Sequence, residues 1–140
     1  MRCIFSSFLI LSALAVAMML AGCGGIGFAY EKHLSGKYGL VAVDTLDQMA
    51  VCEMQPDGNG IGVIDETVFA VGWDDHFIIA KQHPNDASHH IDKSVTNFYI
   101  LQVSDGKLTG LLDEAAFSRE RARLGVSDGL SFTLSFDSLK

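Results

Sequence analysis

The chain has too few cysteines and too little basic charge for two common classes of small protein. Of three cysteines in 140 residues, Cys3 and Cys23 fall near the start, so Cys52 is alone in the remainder. No intramolecular disulfide can then staple a fold. Cys52 stands in the apolar run "QMAVCEM" with no basic neighbour in sequence, which reads as a small core residue on a strand rather than a reactive thiol. Lysine and arginine number 10 against 17 aspartates and glutamates, a formal net charge of −7. That balance argues against nucleic acid as a partner, because nucleic acid is met by basic patches, and against lying flat on anionic lipid. Chemistry-bearing motifs are missing as well. There is no G-x-S-x-G elbow, no phosphate loop and no dinucleotide fingerprint, since "GCGGIG" follows an apolar leader rather than a strand. Carboxylate pairs such as Asp74-Asp75 stand in expected turns, where solvent keeps them ordinary. The expectation is a protein without catalytic residues or cofactor.

An uncharged apolar stretch from Ile4 to Ala21 follows Met1-Arg2-Cys3 and runs into "LAGC", residues 20–23. A positive start, an apolar run and small residues at its end make a secretory signal. The run is also about long enough to cross a bilayer, so an uncleaved anchor helix is the alternative. The small residues followed by cysteine favour the signal. "LAGC" resembles the lipobox of bacterial lipoproteins. The resemblance implies diacylglyceryl transfer to the Cys23 thiol, cleavage before Cys23 and acylation of the new amino group. Each acyl CH₂ buried in lipid contributes about 0.8 kcal/mol, so two or three chains hold the protein to a membrane essentially permanently. Three parts follow: a lipoprotein signal peptide over 1–22, a lipidated cysteine and flexible tether "CGGIGF" over 23–28, and one domain over 29–140. The expected address is the bacterial cell envelope, outward of the cytoplasmic membrane. Among lipoproteins an aspartate after the cysteine marks inner-membrane retention, so Gly24 implies the outer membrane where the host has two.

The domain reads as an α+β fold, mainly an antiparallel sheet of five to seven hairpin-connected strands with one helix in its C-terminal half. "YGLVAV" (38–43) and "QMAVCEM" (48–54) are strands joined by "DTLD". "TVFAVGW" (67–73) and "HFIIAKQ" (76–82) flank Asp74-Asp75; with those two as the turn, Trp73 faces His76 and Val71 faces Ile78. Both sides of this hairpin are apolar, which places it centrally in a sheet and makes Trp73 a core residue. "NFYILQV" (97–103) and "KLTGLL" (107–112) flank Ser104-Asp105-Gly106, and a turn centred on Asp105-Gly106 sets Val103 opposite Leu108 and Tyr99 opposite Leu112. A helix then begins at an Asp113 cap, with Leu112 and Phe117 spaced as a hydrophobic staple, and stops at Gly125. Its arginines, Arg119, Arg121 and Arg123, complement the helix dipole. "LSFTLSF" (130–136) alternates, so Leu130, Phe132, Leu134 and Phe136 share one buried face.

Two stretches tempt a metal reading. "QPDGNGIGVIDE" (55–66) has the spacing of a calcium loop, with Asp57, Asn59, Gly60 and Glu66 at its third, fifth, sixth and twelfth positions. Its first position is Gln55, its eighth is Gly62, and both flanks look like strands rather than helices. Asp57-Gly58 and Asn59-Gly60 are better read as overlapping turn signals in a connection. "HPNDASHHIDKS" (83–94) gathers His83, His89 and His90 with Asp86 and Asp92, residue types that can hold zinc or copper. Adjacent histidines seldom both reach one ion, so an exposed loop is the expectation, with His83, His89, His90 and Asp86 kept as weak ligand candidates.

"VGWDDHFIIAKQ" (71–82) and "NFYILQVSDGKLTGLLDEAAFSRERARLGV" (97–126), with "GKYGL" before them, resemble a small family of bacterial lipoproteins that is known as a domain of unknown function. The likeness spans roughly residues 30–126, with Leu111 where the family usually carries a proline. It implies a fold and an envelope address, and no activity. Two functions remain open from the sequence: a non-enzymatic envelope module that binds another protein or supports the envelope, and a small-ligand or metal-binding module using the loop 83–92.

Overall fold

The structure is a computed structural model, and it describes residues 27–140. The expected signal peptide 1–22 and the expected acylation of Cys23 lie outside the described residues. Among the described residues nine strands and one α-helix follow in order: β1 (Tyr30–Ser35), β2 (Tyr38–Ala42), β3 (Ala50–Met54), β4 (Gly60–Ile64), β5 (Val68–Trp73), β6 (Phe77–Gln82), β7 (Asn97–Gln102), β8 (Leu108–Leu112), α1 (Glu114–Leu124) and β9 (Leu134–Ser135). The strands make two antiparallel sheets. One has the order β1-β2-β3-β4; the other has the order β8-β7-β6-β5-β9. The α+β class is that expected from the sequence, with more strands than the five to seven anticipated. The additions are β1, whose Glu31-Lys32-His33 hid it, and β4, whose glycines read as turn.

Three layers result. Leu40, Val51 and Ile64 of the first sheet, with Met49 just before β3, meet Val68, Val71, Ile78, Ala80 and Leu101 of the second in one buried cluster. Ile79, Phe98 and Ile100 point the other way and meet Phe117 of α1, Val126 and Leu130 in a second cluster. The five-stranded sheet is therefore covered on both faces. Its central strands read as continuous apolar runs for that reason, where a half-exposed strand would alternate.

The hairpins stand where the sequence put them, but their pairing differs. Trp73 pairs with Ile78 and Val71 with Ala80, two residues on from the expected partners. One Asp74 carboxylate oxygen accepts the amides of both His76 and Phe77, each at 2.8 Å, and so centres the turn on Asp75-His76. In the other hairpin Leu101 pairs with Leu108 and Phe98 with Leu112. The Gln102 and Lys107 backbones close a four-residue loop whose last member, Gly106, takes φ 72°. In the first hairpin the shift of two residues changes partners and leaves the side chains from Ala70 to Trp73 on their faces. In the second the bulge makes the shift two at Leu108 but one at Leu112, which therefore packs with Phe98 on the α1 side while Tyr99 joins the first cluster. Trp73 is partly buried against the first cluster, with the Lys32 ammonium 5.5 Å from its ring. Cys52 is buried on β3.

Helix α1 is capped as expected. Asp113 accepts the Ala116 amide at 2.7 Å, and Gly125, at φ 72°, closes the other end. Arg121 donates to the carbonyls of Ser127 and Leu130, both at 2.7 Å, which ties the helix to the turn beyond it. Only two residues of the expected strand 130–136 pair in the sheet, as β9 beside β5. Gly72 explains how the rest lies there. A Cβ at Gly72 would stand 1.9 Å from the Ser131 carbonyl oxygen, so the segment rests directly on bare backbone. Leu130, Phe132, Leu134 and Phe136 still all reach buried clusters.

Candidate functional site

The connection from β4 to β5 and the loop from β6 to β7 meet at Thr67. Thr67 exchanges both backbone hydrogen bonds with His83, and its hydroxyl donates to the Asp47 carbonyl at 2.6 Å. Thr67 is wholly buried, so this knot fixes both segments against the β2–β3 connection. Beside it opens a cleft of 520 Å³, lined by Asp65, Glu66, Gln82, Asn97, Tyr99 and Leu111 among others. A smaller hollow of 300 Å³ adjoins it, and the two share Glu66, Asn85 and His89.

The floor is internally satisfied. The Gln82 side chain donates to the Glu66 carbonyl at 2.9 Å and accepts from Asn97 at 3.0 Å. A longer contact of 3.4 Å comes from the Tyr99 hydroxyl. Burial raises the Tyr99 phenol above its ordinary pKa, and the Asp65 carboxylate nearby adds to that, so the hydroxyl keeps its proton. The rim is less committed. Glu66 meets only long contacts of 3.5 Å from Asn85 and from His89. A side-chain carboxylate so loosely held can accept a donor from outside.

Backbone geometry singles out the same cleft. Among the described residues the only non-glycine residues at positive φ are His89 (59°) and Leu111 (56°), and both line it. Leu111 sits in a bulge of β8, where the register against β7 shifts between Phe98 and Ile100. Gly110 makes room there for the Tyr99 ring, which a Cβ would meet at 2.2 Å. Leu111 is left 74% exposed. Left-handed backbone costs an ordinary side chain about 1–2 kcal/mol and gathers at ligand clamps and active sites.

The weak metal-ligand candidates of the 83–94 loop are not brought together. His83 is buried, stacked on Phe69 with ring centroids 4.2 Å apart, and its Nδ1 meets the Val95 carbonyl at 2.7 Å. His89 stands at the rim of the cleft. Asp86 is occupied by the amides of Ser88 and His90, at 2.8 and 3.0 Å. These bonds to the charged form, from the His90 amide and then the Ser88 amide, hold its carboxyl below the ordinary 3.8. Among the described residues no group of three or more His, Cys, Asp or Glu converges as a metal set. The calcium-like stretch divides in two. Gln55–Asn59 is a tight connection closed by Gln55 N–H to the Asn59 carbonyl at 2.8 Å, and Gly60 already opens β4.

A family model described as "Protein of unknown function (DUF3997)" matches residues 35–138, from the last residue of β1 to Ser138. The chain belongs to the DUF3997 family. No curated protein and no solved structure matches it. The DUF3997 match takes in β2 to β9, α1 and every residue of the cleft named above. It attaches no activity to them. Among the described residues no helix is long and apolar enough to cross a membrane.

Sequence reading found the loop that forms one wall of the cleft and missed the opposite wall. Glu66, Gln82, Tyr99 and Leu111 come from four separate segments, and no spacing rule joins them. One signal was available. Gln82 is a polar residue ending an otherwise apolar strand, and such a group must find partners when buried.

Proposed function

We propose that the chain is an envelope lipoprotein, held to the membrane by acyl chains on Cys23, whose domain binds another protein and carries out no chemistry of its own. The anchor reading rests on "LAGC" after an apolar leader. The binding reading rests on one observation, Leu111. An aliphatic side chain is held in strained backbone and 74% exposed, at the rim of a cleft with carboxylate and amide acceptors. Covering that rim removes the leucine from water, and the Asp65 and Glu66 carboxylates suit a partner side chain that carries donors. A photo-crosslinking amino acid at position 111, in cells, tests the surface. It should trap a discrete protein adduct, whereas the same probe at Gly58 on the β3–β4 connection should not. A labelled fatty acid tests the anchor, and should enter the wild type but not Cys23→Ser. Absence of any adduct at 111 defeats the binding reading, and label in Cys23→Ser defeats the anchor.

A second reading, a small polar ligand or metal ion held by the loop 83–92, is favoured by the way Glu66 and His89 face both hollows at once. Native mass spectrometry of the full chain with zinc, copper and calcium decides it. Retention of one ion, lost in Glu66→Gln, supports this reading; no retained ion ends it.

A further inference from the structure

Four times among the described residues an aspartate or asparagine stands directly before a glycine: Asp57-Gly58, Asn59-Gly60, Asp105-Gly106 and Asp128-Gly129. Glycine leaves its own amide nitrogen sterically open to attack the preceding side-chain carbonyl, so each pair is a possible site of spontaneous backbone rearrangement. The structure separates them. The amide of Gly58 donates to the Gln55 carbonyl at 2.9 Å, that of Gly106 to the Gln102 carbonyl at 2.9 Å, and that of Gly129 to the Ser127 hydroxyl at 3.2 Å. A hydrogen-bonded amide is held in the fold and aimed away from its neighbour's side chain.

Gly60 is different. It pairs with Met54 across the β3–β4 ladder. The Met54 amide, however, points to the other side of β3, where it donates to the Lys37 carbonyl at 2.7 Å. The N–H and C=O of one strand residue point the same way, so Met54 and Gly60 form a non-hydrogen-bonded pair. The Gln55 to Asn59 bond at the next position is the hydrogen-bonded pair that this alternation requires. The Gly60 amide therefore faces outward on an edge strand, and Gly60 and Asn59 are both exposed.

We propose that Asn59 is a site of spontaneous deamidation, the one such site that this fold leaves open. The Gly60 amide nitrogen, losing its proton, forms a bond to the Asn59 side-chain carbonyl carbon. The side-chain nitrogen leaves as ammonia, and a cyclic imide remains. Water then opens the imide at either carbonyl, giving aspartate or a backbone-extended isoaspartate, with no oxidant or reductant involved. Asn59 now donates its side-chain amide to one Asp57 carboxylate oxygen at 2.8 Å and its backbone amide to the other at 3.0 Å. After conversion a carboxylate replaces the side-chain donor, and two like charges face each other across a tight turn. The turn that closes β3 onto β4 loosens, and the change is irreversible.

The experiment incubates the full chain at mildly alkaline pH and follows each Asx–Gly peptide by mass spectrometry with chromatographic separation of isoaspartate. Asn59 should convert with isoaspartate as the major product, while Asn85 and Asn97 keep their amides. Gly60→Ala should slow the conversion by an order of magnitude. Amide exchange over the β3–β4 turn should rise in aged wild type and in Asn59→Asp, but not in aged Asn59→Gln. An Asn59 that stays intact while the other asparagines convert overturns the proposal, and so does a rate unchanged by Gly60→Ala. Isoaspartate appearing first at Asp57 or Asp105 overturns the argument from committed amides.

Discussion

Replacing Gly72 by alanine should undo the packing of the chain's last segment. The added Cβ would stand 1.9 Å from the Ser131 carbonyl oxygen and 2.7 Å from its carbon, where ordinary contact begins at 3.4 Å. Both obstacles are backbone, so no side-chain rotation relieves them. The segment must retreat by about 1.5 Å, and a gap of even 0.5–1 Å forfeits a quarter to a half of each dispersion contact along it. The contacts at stake are substantial. Phe132 stands 5.9 Å from Phe117 and 6.4 Å from Phe98, Leu130 is buried, and the Phe136 amide bonds the Phe69 carbonyl at 2.9 Å. Overpacking of this kind costs about 1–3 kcal/mol, and the rigidity of both partners puts Gly72→Ala at the upper end, about 3 kcal/mol. For a domain of this size that is a fall in Tm of about 10 °C or more. Gly62→Ala is the matched control. Nothing lies within 4 Å of its Cβ, so the cost of the extra carbon is absent and stability should hold or rise by up to about 1 kcal/mol. Denaturant unfolding followed by fluorescence of the sole tryptophan, Trp73, next to Gly72, measures both. If Gly72→Ala unfolds within about 1 kcal/mol of wild type, the segment 130–136 is not seated on β5 as described.

Two further outcomes follow from local geometry. Asp113→Ala removes the acceptor of the Ala116 amide and should cost about 1 kcal/mol, seen as a lower denaturant midpoint with an unchanged slope. Asp86 and Asp92 are held below their ordinary 3.8, Asp86 chiefly by the His90 and Ser88 amides and Asp92 by the Ser94 hydroxyl and amide. Because the folded state favours the charged form, this support is whole above 3.8 and is lost as pH falls below it. Amide exchange in residues 86–95, corrected for its intrinsic pH dependence, should therefore rise in that acid range. Asp86→Ala should raise it at neutral pH, and protection unchanged across the range would count against the loop geometry.

How much of this fold shows in the sequence depends on the range of the interaction concerned. Helix α1 was legible from end to end, because Asp113 and Gly125 act on backbone groups within one turn of themselves. The hairpins were legible in place but not in partner, and in facing all but Leu112, which the β8 bulge turns to the side of Phe98, were placed correctly. The Asp74 carboxylate's choice of the His76 and Phe77 amides, and Gly106 standing last in a four-residue loop, are settled by competing local bonds. No composition rule ranks those bonds. β4 was hidden because Gly60 and Gly62 lower strand propensity, although pairing with β3 outweighs that loss. The histidines of 83–94 were grouped by nearness in sequence. The fold sorts them by burial, sending His83 against Phe69 and His89 to the cleft rim. The cleft was not legible at all, since Glu66, Gln82, Tyr99 and Leu111 meet only once two sheets and a loop are assembled.

Two stretches far apart in the chain finish the interior together. Leu139 is 2% exposed in the same cluster as Leu34 and Tyr38, and Phe136 sets its ring edge-on against Tyr30, 5.1 Å away. Their contact closes a loop of about a hundred residues, and the entropy of closing it is offset only by the burial that follows. Loosening either stretch, β1 or the one around Phe136 and Leu139, therefore opens the same cluster to water.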